Sequence, residues 1–318
     1  MLDVVTAASL GPWELLGLEQ FWLDSVAKAA TTPLLLIYSL TGRLISIGRY
    51  HLYAGVAERD GIGVMRRLTG GRVIGAGEGW VGLALVLPRR NALLPERDAH
   101  IRPEQSMNRY ARGVLGGLRA LGLSGFYPGR DAITLSQREL AMCTMEQSES
   151  GAMLFESVVA VNRGMEEVVH DLEHLDPEGT LQCPLYGRDN STKLVRELDR
   201  DVSFGEVVSA LKAGYRELLG EIRERELNSN ERTQAAHRGR AVQASGWLDH
   251  RASRSEHDRV ARTSAQLGAI EVRVSVTSDN RIERAMLSGD LIANSPGVAA
   301  FERELVSSTF DLRRFRAP

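Results

Sequence analysis

Arg66-Arg67-Leu68-Thr69-Gly70-Gly71-Arg72-Val73-Ile74 closes a short apolar run, Ile62-Gly63-Val64-Met65, and leads into Gly75-Ala76-Gly77-Glu78-Gly79. Glycines let a backbone approach a ligand closely and adopt φ > 0, and the amides of such a turn point at anions. The arginines add planar, permanently charged forks that suit phosphate or carboxylate. A glycine-rich turn between two strands, with arginines merely solvated, has the same composition. Common nucleotide loops are excluded: no G-x-x-x-x-G-K-[ST] occurs, and no dinucleotide-type glycine motif opens a helix here.

Working outward, Gly11-Pro12 leads, after an irregular start, into a helix. Its Leu15, Leu18, Phe21, Trp22, Val26 and Ala29 recur at spacings of three and four, and Thr31-Thr32-Pro33 stops it. Residues 34–38 and 44–47 read as strands around a Thr41-Gly42 turn. Beyond the loop, 80–87 is a nearly unbroken apolar strand, the pattern of a strand covered on both faces. Pro103 opens a helix with Met107, Tyr110, Ala111, Val114, Leu118 and Leu121 on one side. Three strands are expected over 132–135, 139–145 and 152–161, then helices over 165–175 and 204–219, the second begun by a Ser203/Glu206 capping box. From 221 to 263 charged and small residues dominate, which reads as a linker with exposed helical parts. Ile270, Val272, Val274 and Val276 then alternate with polar residues in a half-buried strand; a turn, a second strand over 282–287 and a short helix from Pro296 follow.

In this order the chain resembles the lipoate–protein ligase and octanoyltransferase family, whose acid-binding loop reads Arg-Arg-x-Ser/Thr-Gly-Gly-Gly/Arg-Ala-Val. Leu16-Gly17-Leu18-Glu19 and Ile47-Gly48-Arg49-Tyr50-His51 are similar to the family's Asn-Leu-Ala-Leu-Glu and Ile-Gly-Arg-x-Gln, with His51 for the glutamine. Gly129-Arg130-Asp131 resembles Gly-Arg-Asn-Asp-Leu, and Ser288-Gly289-Asp290-Leu291 resembles the Ser-Gly-Asp-Phe of the accessory domain. The resemblance implies an α/β (α+β) fold: a biotin/lipoate ligase-like domain with a central mixed sheet flanked by helices over 1–225. A charged linker over 226–263 and a small α+β accessory domain over 264–318 complete the expected organisation.

It also implies a chemistry. A small carboxylic acid, lipoate or octanoate in the family, is activated by ATP and Mg2+ as an acyl-adenylate and passed to an amine such as a carrier-protein lysine. The implied adenylate-binding residues are Arg67, Thr69, Gly70, Gly71, Arg72, Arg49 and Asp131, with Arg67 on the phosphate. Arg72 stands at the third glycine, as in the octanoyltransferase branch.

The departures are as specific as the matches. The family's hairpin lysine maps onto Glu139 in Gln137-Arg138-Glu139-Leu140-Ala141-Met142. At ~4 Å from a phosphate oxygen a glutamate contributes on the order of 4 kcal/mol of repulsion at an effective dielectric near 20. Only three of the 39 basic residues are lysines, Lys28, Lys193 and Lys212, so the substitute cations are Lys193 and Arg138, and alternation turns Arg138 to the other face. Met142 replaces a glycine, Ala76-Gly77 replace His-Asp, and Phe155-Glu156-Ser157 replace His-His-Gly. The octanoyltransferase cysteine is absent from Ser124-Gly125-Phe126, and Cys143 reads as a core residue. Two further readings therefore stand beside a working ligase: a catalytically degenerate binding or partner subunit, and a stand-alone amide-forming enzyme with another acid and amine.

Composition narrows the classes. A net charge of −2 gives no electrostatic case for nucleic acid. No apolar run approaches about 18 residues and no basic leader precedes Asp3, so neither a membrane span nor a signal peptide is expected, and the cytoplasm is the expected compartment. Cys143 and Cys183 form no disulfide framework or metal spacing. His170-x-x-x-His174 lacks the zincin glutamate and reads as a polar helix face.

Overall fold

The computed structural model describes residues 1–28, 32–53, 58–95, 100–175, 189–251, 259–265, 268–306 and 308–310. Cys183 lies outside them. Its strands, in chain order, begin with β1 (Leu2–Leu10), β2 (Leu34–Leu40), β3 (Arg43–Ile47), β4 (Glu58–Arg59), β5 (Ile62–Arg66), β6 (Ile74–Gly77) and β7 (Trp80–Leu87). They continue with β8 (Ala132–Leu135), β9 (Arg138–Gln147), β10 (Met153–Ala160) and β11 (Ile222–Arg225). Seven form one sheet in the order β11-β1-β2-β7-β10-β9-β8, parallel across β11, β1 and β2 and antiparallel beyond. A four-stranded sheet, β4-β5-β3-β6, packs beside it and carries the arginine loop between β5 and β6. The mixed sheet expected from the sequence is thus present, with helices on both faces.

Alternation decides what each face holds. Leu35, Ile37, Leu83 and Leu85 join the core under α2 (Pro103–Ala120) and α5 (Phe204–Leu219). Their neighbours Leu34, Leu36, Ala84 and Val86 pack on the opposite side, against α1 (Pro12–Ala27) and α6 (Ser229–Ala244). All eight residues of β7 are buried, as a strand covered on both faces requires. The Ser203 hydroxyl accepts from the Glu206 amide and caps α5. Helix α3 (Glu166–Leu175) leaves His170 exposed, and α4 (Leu194–Leu198) is a single short turn.

Two expectations are corrected. The start of the chain is not irregular but a nine-residue strand. Asp3 interrupts its apolar pattern, yet is 2% exposed because Arg223 and Arg225 of β11 bind its carboxylate. Burial pushes that carboxyl up, but the two guanidinium groups outweigh it and hold it below its ordinary value. The described part of 226–263 is likewise not a free linker. Asn228 and Glu231 form a capping box for α6, and Ala235, Gly239 and Val242 are buried against α1. Trp22 Nε1 donates to Glu231 at 2.9 Å. Charged residues such as Arg232 and Arg240 lie on the outer face, while Glu231 is buried.

The remaining strands, β12 (Arg259–Ala265), β13 (Gly268–Val276) and β14 (Ile282–Gly289), form an antiparallel sheet beside α7 (Ser295–Leu305). Val272 and Val274 pack inward with Ile282, as the alternation predicts.

Helices α1 and α6 touch backbone to backbone at Gly17 and Gly239. A Cβ on Gly239 would collide with the Trp13 carbonyl, and one on Gly17 with the Ala235 carbonyl. Gly239→Val should therefore lower stability by about 1–3 kcal/mol, the usual cost of overpacking, while the exposed Arg240→Ala stays near wild type. Equal melting temperatures for both variants would mean that α6 is not docked.

Candidate functional site

The loop is held from within by its own arginines. Arg67, 2% exposed, donates through Nη1 to Ser46 O at 2.9 Å and through Nη2 to Gly70 O and Arg72 O at 2.6 and 2.7 Å. Its Nε faces Thr69 Oγ1 and Gly70 O, both at 3.2 Å. Arg66 donates to the carbonyls of Leu248, Gly48, Arg49 and His51. These forks fix backbone; the structure gives Arg67 a loop-shaping place rather than a free phosphate-facing one.

Arg72 is engaged differently. It binds Asp131 bidentately, at 2.7 and 3.0 Å, and Glu139 at 2.9 Å. Its Nη2 also lies 3.6 Å from Met142 Sδ. Glu139, at the position of the family lysine, is thus matched by a cation, which corrects the expectation of a bare repulsive charge. Burial pushes its carboxyl above the ordinary value and Arg72 pulls it partly back. The other candidates do not converge here. Arg138 pairs with Glu197 at 2.8 Å and Lys193 with Glu167 at 3.6 Å. Arg49 sits half-buried beside the loop, its amide bonded to Thr69 O and its guanidinium over the Trp247 ring. The Cys143 thiol is fully buried against Ser157, and desolvation pushes it up to about 12, so it is no nucleophile.

Gly70 and Gly71 contact the accessory part of the chain. The Gly71 amide donates to Leu291 O, and a Cβ on Gly70 would occupy the place of that same carbonyl. The Gly48 amide donates to His51 Nδ1, so His51 Nε2 carries the proton that it gives to Asp290 at 3.0 Å. Glu146 accepts from the Tyr50 hydroxyl at 3.2 Å and from the Ser295 amide at 2.7 Å. The sequence landmarks around 48–51 and 288–291 are the two halves of one latch over the loop.

Beneath the loop lies a narrow cavity between the two sheets, reaching from Met142 and Thr144 past Glu156 to Tyr38 and Trp80. Thr69 Oγ1 hydrogen-bonds Thr144 Oγ1 at 2.7 Å and Glu156. Behind Glu156 sits Glu19, fully buried, whose oxygens receive no hydrogen bond from any protein donor. Burial first, then the neighbouring Glu156, pushes the Glu19 carboxyl well above its ordinary range. Neither Glu19 nor Glu156 was among the site residues expected from the sequence. The available signal was a glutamate on the apolar face of a helix and another inside the apolar run Met153–Val159.

The architecture is the mixed-sheet α/β fold of the ligase type, with a glycine–arginine loop over a buried polar cavity. The lipoyl protein ligase A/B catalytic domain profile matches residues 11–216, and the chain belongs to that family. An octanoyltransferase LipM from an Exiguobacterium species is 25% identical over 237 residues, covering 66% of this chain and 83% of the relative. The crystal structure of P. falciparum LipL1 in complex with lipoate superposes with a TM-score of 0.74 at 13% identity, over 98% of this chain and 91% of that one. A bipartite lipoate protein ligase with its E2 lipoyl domain from Thermoplasma acidophilum gives a TM-score of 0.61 at 17% identity, over 80% and 99% of the two chains. These structural likenesses establish the fold.

The buried carboxyl pair makes stability depend on pH in a defined direction. With its pKa raised in the folded state, Glu19 contributes fully below the ordinary glutamate value of 4.5, and that contribution is lost as pH rises through the folded value. Between about pH 5 and 8 wild-type melting temperature should fall with pH, and Glu19→Gln should flatten the slope. Parallel profiles for the two proteins would show that Glu19 holds no extra proton.

Proposed function

We propose that the chain binds a small carboxylic acid in the cavity beneath the loop and takes part in acyl transfer to an amine, such as a carrier-protein lysine. The observation that carries this reading is the position of Arg72. Its guanidinium touches Met142 at one end of the cavity, and one of its two carboxylate partners, Glu139, is the more exposed, at 17%. A substrate carboxylate arriving at that end takes the place of Glu139 on the fork, aided by the raised pKa of Glu139, which eases its loss of charge.

ATP with Mg2+, which the family chemistry implies, finds a poor fit. Arg67 and Arg72 are bonded within the protein and Asp131 is held bidentately by Arg72, while Arg66 is bonded through Nε and Nη1 and keeps a buried Nη2 without a partner. On this reading activation of the acid falls to a partner ligase, in a divided arrangement like that named for the bipartite Thermoplasma protein. A second reading, a self-sufficient adenylating ligase, is favoured by Arg49 and the exposed Arg130, which flank the loop and the Gly129-Arg130-Asp131 turn.

Acid-dependent exchange of pyrophosphate into ATP, screened over lipoate, octanoate, biotin and amino acids, separates the two. Wild type should remain at background while a bound acid still raises the melting temperature, and Glu139→Gln should enlarge that rise by freeing Arg72. Exchange above background that collapses in Arg49→Ala or Arg130→Ala would carry the second reading instead.

A further inference from the structure

One titratable ring joins the segment before the loop to the accessory part of the chain. His51 and Asp290 are each 4% exposed. The ring accepts from the Gly48 amide at Nδ1, 2.8 Å, and donates from Nε2 to Asp290 Oδ1 at 3.0 Å. The other Asp290 oxygen accepts from the Ala269 amide of β13 at 2.8 Å. The His51 carbonyl is held by Arg66 at 2.6 Å. Two amides cross the same junction, Gly289 donating to Tyr50 O and Gly71 to Leu291 O.

We propose that this junction is a pH-sensitive switch, closed by neutral His51 and released when the ring takes up a proton. A neutral imidazole accepts at one nitrogen and donates at the other; an imidazolium donates at both. The second proton would stand on Nδ1, against the Gly48 N–H, so the charged ring cannot keep that bond. The charged groups that act on the ring are Asp290, which favours its protonation, and Arg67 and Arg66, which oppose it. Burial is the largest influence, and with the two arginines it outweighs Asp290 and holds His51 below its ordinary value of 6.5. Once the junction opens and water reaches the ring, the ordinary value returns. As pH falls below 6.5 the open form therefore gains on the closed one, by up to about tenfold per pH unit, until the closed-state value is passed. Glutamine, which the family motif carries at this position, has an amide oxygen for Gly48 and an amide N–H for Asp290 and does not titrate. The switch thus belongs to the histidine of this chain.

Hydrogen exchange of the full chain from about pH 7.5 to about pH 5 tests this. It is read on peptides that hold the Gly71 and Gly289 amides and referred to amides within α5, which share the intrinsic pH dependence of exchange. In wild type the protection of both amides should fall relative to α5, by up to about tenfold per pH unit below 6.5. In His51→Gln it should stay level; Glu19 titrates in both proteins and drops out of the comparison. Level protection in wild type overturns the switch. An equal fall in His51→Gln overturns it too, because the titrating group then lies elsewhere. Should the variant not fold, the wild-type profile decides: a fall that begins near 6.5 supports the histidine, and one that begins only near the carboxylate range, about 4 to 5, overturns it.

Discussion

The site depends on one buried cation. Arg67 donates to the loop carbonyls of Gly70 and Arg72, to Thr69 Oγ1 and to the Ser46 carbonyl of β3. A guanidinium taken from water must be hydrogen-bonded and electrically matched to be tolerated. The carbonyls meet the first condition and set the path of the loop. Glu156 meets the second across Thr69, and Arg67 in turn lowers the pKa that burial raises at Glu156. Glu19, one layer further in, has no cation beside it, and burial together with Glu156 pushes its carboxyl well above the ordinary range.

Arg72 solves the same problem at the other end of the loop with side chains instead of carbonyls. Two carboxylates on one guanidinium leave a net negative charge, which burial at Glu139 partly removes. This arrangement ties two sequence changes together. Asp131 already matches Arg72, and the glutamate at position 139 needs a cation, which Arg72 also supplies. Arg72, Asp131 and Glu139 thus form an internal ion triad at the end of the loop.

Much of the fold was legible in the sequence because its strongest signals were apolar and periodic. Residues 80–87 and 204–219 coincide with β7 and α5 to the residue. The misses share a cause. In β1 and α6 the apolar pattern is interrupted by Asp3 and Glu231, and both acids are buried on β11 arginines, Asp3 on Arg223 and Arg225 from the far end of the sequence and Glu231 on the nearby Arg225. A single-residue reading counts such a carboxylate as a surface marker, because the pairing that neutralises it is set by the fold and not by the pattern of neighbouring residues. The same blindness hid Glu19 and Glu156, and it made Glu139 look like an unmatched charge before Arg72 was seen against it.

The latch between the accessory sheet and the loop follows from backbone rather than side-chain chemistry. Gly71 offers its amide to Leu291 O, and Gly70 lacks the Cβ that would block that carbonyl. The glycines that suggested an anion-binding turn are thus also those that let another strand exit approach the loop. Bare amides serve a ligand oxygen or a protein carbonyl equally well, so glycine content alone could not choose between them. What distinguishes the two is the pair of side-chain contacts flanking the amide, His51 to Asp290 and Tyr50 to Glu146. Both are buried, and both bring residues from beyond 140 in the chain onto the segment before the loop. The loop's outer surface is therefore a protein interface, and access to the acid cavity is set by the inner surface, where Thr69, Thr144 and Glu156 meet.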